Sequence, residues 1–148
     1  MLYLFALECE KKLNPRARSF FVLGCGESQQ TFDSQLMWPT GKWPINVLCN
    51  QCFQLSEHLE QDIQTLPAGN KGLVKPPPMR IWSIEVQCGQ ENCGTLTKIY
   101  FQAGIGTVKD GILLKIQGHH IPCRTCGQPI ELTFQSCKNV GVAAEICT

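Results

Sequence analysis

Charge is scarce in this sequence: 17% of its 148 residues are charged, and the net charge is +1 at pH 7. A surface built throughout to neutralise phosphate needs a large positive excess. Whole-surface binding to nucleic acid or anionic lipid is therefore excluded, and only a local basic patch remains open. Long apolar runs are missing as well. Nothing approaches the roughly 20 apolar residues that span a bilayer as a helix. Met1 to Leu7 is apolar, but no basic residue precedes it, Glu8 ends it, and no small-residue cleavage site follows. It reads as a β-strand, and the expectation is an intracellular, cytoplasmic chain. Common catalytic fingerprints are absent too: there is no P-loop, no GxSxG and no HExxH. Gly104-Ile105-Gly106 is too short for a nucleotide fingerprint. No carboxylate pair stands out, so the expectation is a protein that is not an enzyme.

What the sequence does contain is cysteine, ten residues of it. Two chemistries compete for such a number: disulfides in an oxidising compartment, or metal thiolates in a reducing one. The intracellular reading of the N-terminus favours thiolates. At 43% apolar, the chain has the material for a core.

Proline and glycine mark the main boundary. Leu66 to Met79 holds four prolines and two glycines in fourteen residues, with Pro76, Pro77 and Pro78 consecutive. Consecutive prolines impose extended geometry and donate no backbone hydrogen bond. The expected organisation is therefore a domain over 1–66, a linker over 67–79, a second domain over 80–135 and a loose tail over 136–148.

A similar pattern flanks the linker. The first half runs LYLFALEC (2–9), SFFVLGCG (19–26) and WPINVLCNQC (43–52). The second runs RIWSIEVQC (80–88), KIYFQAGIG (98–106) and HHIPCRTC (119–126). Cys9 aligns with Cys88, and the pair Cys49/Cys52 aligns with Cys123/Cys126. The preserved order of these blocks predicts a tandem duplication. Strands are expected at Tyr3–Leu7, Ser19–Leu23, Ile81–Gln87, Leu96–Gln102, Ile112–Ile116 and Ile130–Phe134. One helix is expected between Ser56 and Leu66: Ser56 suits an N-cap, Leu55, Leu59, Ile63 and Leu66 form a stripe, and Pro67 stops it.

The cysteine spacing carries the chemistry. A tetrahedral zinc site needs four thiolates or imidazoles converging on one point. Cys88-x4-Cys93 falls in a turn between two expected strands, with Gly89 and Gly94 easing the backbone, and Cys123-x2-Cys126 is followed by Gly127. Twenty-nine residues separate the pairs, enough for a hairpin to return. Over residues 80–134 this arrangement resembles the zinc-ribbon structural class. The resemblance implies a three-stranded antiparallel sheet clamped at one end by Zn2+ and used for binding or assembly. The whole chain then reads as mostly β, with two zinc-ribbon-like antiparallel sheets in tandem and one helix after the first.

In the first half, Cys9, Cys49 and Cys52 occupy three equivalent positions. Asn14 stands in the fourth and is a poor ligand, so Cys25, or else His58, is the expected substitute. Cys137 and Cys147 fit neither set and are expected to be free thiols. His119 and His120 sit beside the second pair and are expected to have supporting or surface roles. Lys11, Lys12, Arg16 and Arg18 put four cations in eight residues, a turn that can contact phosphate. Three functions follow in order. The first is a zinc-stabilised module that docks on a protein. The second is a nucleic-acid binder working through 11–18. The third is an iron electron carrier of the rubredoxin-like kind, which the x4 spacing disfavours because such proteins use x2 pairs on both sides.

Overall fold

A computed structural model describes residues 2–9, 19–26, 42–68 and 78–147. The described residues contain ten strands: β1 (Leu2–Glu8), β2 (Phe20–Gly26), β3 (Ile45–Leu48), β4 (Leu55–His58), β5 (Gln64–Ala68), β6 (Met79–Gln87), β7 (Leu96–Gly104), β8 (His120–Pro122), β9 (Pro129–Glu131) and β10 (Cys137–Ile146). Among the described residues there is one α-helix, α1 (Lys109–Ile116), and one 3-10 turn at Glu60–Asp62. The protein is mostly β, as its alternating apolar runs imply.

The strands form three sheets, not two separate antiparallel ones. β2-β1-β5 is a three-stranded sheet, β10-β6-β7-β3-β4 a five-stranded one, and β8-β9 a hairpin. The five-stranded sheet draws on both sides of the proline-rich stretch, because β3 pairs in parallel with β7, Val47 opposite Tyr100 and Leu48 opposite Phe101. Two asparagines lengthen this short pairing. Asn46 donates its side-chain amide to the carbonyl of Lys98, and Asn50 donates to that of Gln102. The strand order β2-β1-β5 has the same antiparallel pairings as β7-β6-β10, and in chain order hairpin β3–β4 falls between β2 and β5 as hairpin β8–β9 falls between β7 and β10.

The expected helix over 56–66 is not formed. Those residues make β4, the 3-10 turn and β5. The leucine stripe does not share one buried face: Leu59 is 44% exposed, while His58 is buried at 4%. Pairing of β4 with β3 and of β5 with β1 supplies the backbone partners that a helix would have supplied internally. Tertiary pairing outweighs a helical preference of a few tenths of a kcal/mol per residue. Pro67, read as a helix stop, instead lies in edge strand β5, where a missing N–H is tolerated. The converse error occurs at Ile112–Ile116, expected as a strand and found in α1. Ile112, Leu113 and Ile116 are its buried residues, a helical spacing. Gly118, at φ 86°, follows the helix, in a conformation that favours glycine.

The stretch expected to be a tail, 136–148, carries β10, which pairs along β6 from Cys137–Val86 to Ile146–Met79. Of the expected linker, residues 69–77 lie outside the described residues, Pro67 and Ala68 belong to β5, and Met79 opens β6.

Alternation along β6 and β7 divides the core between two faces. Trp82, Ile84, Val86, Ile99 and Phe101 pack toward α1 and the β8–β9 hairpin. Ile81 and Tyr100 pack with Phe5, Leu7, Phe21 and Val22 of the other sheet. One polar residue crosses that second interface. Gln102 is 2% exposed; its Oε1 accepts from the Val22 N–H at 3.0 Å, and its Nε2 donates to the Val22 carbonyl at 2.6 Å. A side-chain amide thus completes the edge of β2 as a neighbouring strand would. Replacing it strands two buried backbone groups, at about 1–3 kcal/mol each. Gln102→Leu is therefore expected to lower the denaturant midpoint without changing the far-ultraviolet spectrum, and an unchanged midpoint would count against this role.

Cys25 and Cys147 form a disulfide across 122 residues, tying the end of β2 to the residue after β10. This corrects two expectations at once: Cys147 is not a free thiol, and Cys25 is not available to a metal. Cys137 is a thiol, as expected, and is buried.

Candidate metal centre

The second-half cluster is assembled by two turns. After β6 the Cys88 N–H bonds the Thr95 carbonyl at 3.0 Å, and the Cys93 N–H bonds that of Gln90 at 3.2 Å. The chain reverses through positive φ at Asn92 (67°) and Gly94 (63°). These are residue types that accept this conformation. After β8 the Cys123 N–H bonds the Gln128 carbonyl at 2.9 Å, and the Gly127 N–H, at φ 75°, bonds back to Cys123 at 2.9 Å. The Thr125 N–H points at the Cys123 sulfur, 3.5 Å away.

These turns place the Sγ atoms of Cys88, Cys93, Cys123 and Cys126 within 4.8 Å of one another. Cys88 and Cys126 are 3.6 Å apart, and Cys93 and Cys123 are 3.7 Å apart. With a zinc–sulfur bond of about 2.3 Å, a regular tetrahedron has edges of about 3.8 Å. A disulfide would bring two sulfurs to about 2.05 Å. Two of the six edges are near the tetrahedral value and the rest lie within 4.8 Å, so the cluster could hold a metal ion.

The first half repeats the construction. The Cys9 N–H bonds the Ser19 carbonyl at 2.7 Å, the Cys49 N–H bonds that of Gln54 at 3.1 Å, and the Phe53 N–H bonds back to Cys49 at 3.0 Å. The Gln51 N–H lies 3.5 Å from the Cys49 sulfur. Phe53, at φ 57°, takes the conformation that Gly127 takes in the other half. Its ring stacks on His119 at 4.2 Å and 7°, and on Phe101 at 6.1 Å. His119, expected to have a supporting role, thus meets the first cysteine turn through an aromatic face. Cys9, Cys49 and Cys52 also lie within 4.8 Å of one another, and Cys9 and Cys52 are 3.4 Å apart.

Among the described residues no fourth cysteine, histidine or carboxylate joins this trio. Cys25 is held in its disulfide. His58 is occupied elsewhere, its Nε2 2.9 Å from the Ser56 hydroxyl and its Nδ1 3.9 Å from Asp62. Asn14 and the basic residues Lys11, Lys12, Arg16 and Arg18 lie outside the described residues. One polar contact was not anticipated: the Ser19 Oγ sits 3.3 Å from the Cys49 sulfur. Its only sequence signal is its place just ahead of β2, where Thr95 stands ahead of β7.

The environment sorts the thiols. The Thr95 hydroxyl, then its N–H, bond the Cys93 sulfur and draw its pKa down to about 6. Burial works against Cys49, but the Cys52 N–H, the Ser19 hydroxyl and the Gln51 N–H draw it down to about 7. The N–H groups of Cys126 and Thr125 lower Cys123. The Gln90 N–H favours the Cys88 thiolate, yet burial and three sulfur neighbours push that thiol up to about 12. Burial raises Cys137. In metal-free protein, iodoacetamide is expected to label Cys93 first, its rate rising through pH 6, with Cys49 following through pH 7 and Cys88 and Cys137 last. Thiolates with depressed pKa values stabilise the fold fully above their ordinary 9.0, and that contribution is lost as pH falls through about 7 for Cys49 and 6 for Cys93. Mass-spectrometric mapping of the label checks the order; labelling of Cys88 ahead of Cys93 would contradict it.

Comparison of the chain with protein-family models, curated proteins and solved structures finds no match.

Proposed function

We propose that this chain is a non-enzymatic interaction module, built around a structural zinc at Cys88, Cys93, Cys123 and Cys126, that docks on a protein partner inside the cell. The observation that carries this reading is the four-sulfur cluster. Four protein thiolates fill a tetrahedral zinc ion and leave no position for water or substrate, the mark of a structural centre. Eight of the ten cysteines stand as thiols, and seven of these belong to the two clusters. The most exposed large apolar side chains, and so the positions at which to look for such a contact, are Val108, just ahead of α1, and Leu114, on α1, each 64% exposed.

Elemental analysis of protein purified without added metal tests the zinc. Colourless protein with zinc that disappears in Cys123→Ser is expected, whereas red, iron-containing protein would replace this reading with the electron-carrier one. A photo-crosslinking residue at position 114 tests the docking. A discrete protein adduct in cells is expected, and nucleic-acid adducts alone, or none, would overturn that half.

A further inference from the structure

The four cysteines of the second-half cluster are unequally reachable. Cys88 and Cys123 are 4% and 3% exposed, whereas Cys93 is half-buried and Cys126 is exposed. Cys93 and Cys126 both line a cleft between the two cysteine turns. Its volume, about 540 Å³, falls within the range of small-molecule sites, about 300–1,000 Å³. Gln90, Asn92 and Gln128 line it with amides, Thr125 with a hydroxyl and Glu91 with a carboxylate. Such a lining suits a polar ligand of peptide character.

The sulfurs also differ in their neighbours. The Thr95 hydroxyl lies 3.5 Å from the Cys93 sulfur, and the Thr125 N–H lies 3.5 Å from that of Cys123. Hydrogen bonds to a thiolate lower its basicity and, with it, its nucleophilicity. Access and nucleophilicity therefore both select Cys126. The buried Cys88 sulfur lies 3.6 Å from that of Cys126, and a shift of about 1.5 Å joins them at disulfide distance.

We propose that Cys126 is the entry point for thiol–disulfide exchange with a low-molecular-weight peptide disulfide of the glutathione kind seated in this cleft, and that the exchange expels the metal. The proposal rests on the zinc reading of this cluster. The Cys126 thiolate attacks one sulfur of the ligand, whose S–S bond breaks; a mixed disulfide forms at Cys126 and one small thiolate leaves. The Cys88 thiolate then attacks the Cys126 sulfur and expels the second small thiolate. The two cysteine thiolates have lost one electron each, the ligand has gained both, and solvent protonates the two released thiolates. Cys93 and Cys123 alone do not retain the zinc, which passes to solvent. The new Cys88–Cys126 bond ties the same two turns that the metal tied.

The full chain, purified with zinc and treated with glutathione disulfide, tests this. Zinc content is measured before treatment, released zinc with a chromogenic chelator, and sulfur pairing by peptide mass spectrometry after acid quench. A mixed disulfide at Cys126 is expected first, followed by a Cys88–Cys126 bond that grows in step with zinc release. Cys126→His keeps a fourth ligand atom, and this variant should hold its zinc through the same treatment. The adduct order in the wild-type chain decides the matter independently of how well the variant binds zinc. An untreated chain without zinc would defeat the zinc reading and this proposal together. No zinc release, a first adduct at Cys93 or Cys52, or release from Cys126→His as fast as from wild type would overturn this proposal and leave the zinc reading standing.

Discussion

Cys123→Ser is expected to release the metal of the four-cysteine centre and, with it, to unfold the structure around that centre. Cys123 is 3% exposed, and both its sulfur and its backbone belong to the turn that closes the site. Its neighbours Ile121, Ile130 and Leu132, which come from the β8–β9 hairpin and the residue beyond it, are also buried. A hairpin of two three-residue strands has little core of its own, and isolated two-stranded hairpins are marginal in water. Binding of structural zinc couples about 10–16 kcal/mol to folding in small zinc domains. That is comparable to the whole stability of an ordinary domain, about 5–15 kcal/mol. Chelation of the wild-type protein should mimic the substitution. Hydrogen exchange reads the outcome: amides of β8, β9 and the Cys88–Cys93 turn should lose protection first. A Cys123→Ser chain with wild-type protection and denaturant midpoint would sink the idea of a structural metal.

The second large effect concerns the disulfide. Breaking Cys25–Cys147 by paired serine substitution frees a loop of 122 residues. The chain-entropy model assigns such closure about 5 kcal/mol. Engineered and native bridges often deliver less than this, because strain and residual structure in the unfolded chain intervene. Denaturant titrations of the wild-type and doubly substituted proteins, both with zinc, measure it; an unchanged midpoint would refute the loop argument.

The two cysteine clusters were legible in the sequence because each is built from local turns. A knuckle needs only a short cysteine spacing and a residue that tolerates positive φ, and Gly94 and Gly127 stand where the backbone takes it. The repeated order of strands was legible for the same reason, each strand being a short apolar alternation. What the sequence concealed depends on distant partners. Leu55, Leu59, Ile63 and Leu66 keep helical spacing, but β3 and β1 claim their backbone. GILLKI at 111–116 is an apolar run that fits either period until its buried face is known. Cys25 lay near enough to the first cluster in sequence to pass for a ligand, and only the packing of β2 against the end of β10 identifies its partner. The amide of Gln102, buried in a strand, gives no sign in the sequence that it stands in for a neighbouring backbone.

The parallel seam between β3 and β7 has a consequence for the order in which a ribosome releases this chain. Residues 45–58 emerge early and close on themselves as a hairpin, yet the outer side of β3 meets nothing until Tyr100 and Phe101 have been made some fifty residues later. An uncovered strand edge is a template for pairing with any other nascent chain. Slower synthesis anywhere between residues 59 and 100 prolongs that interval, so faster passage through this stretch should raise the yield of soluble protein.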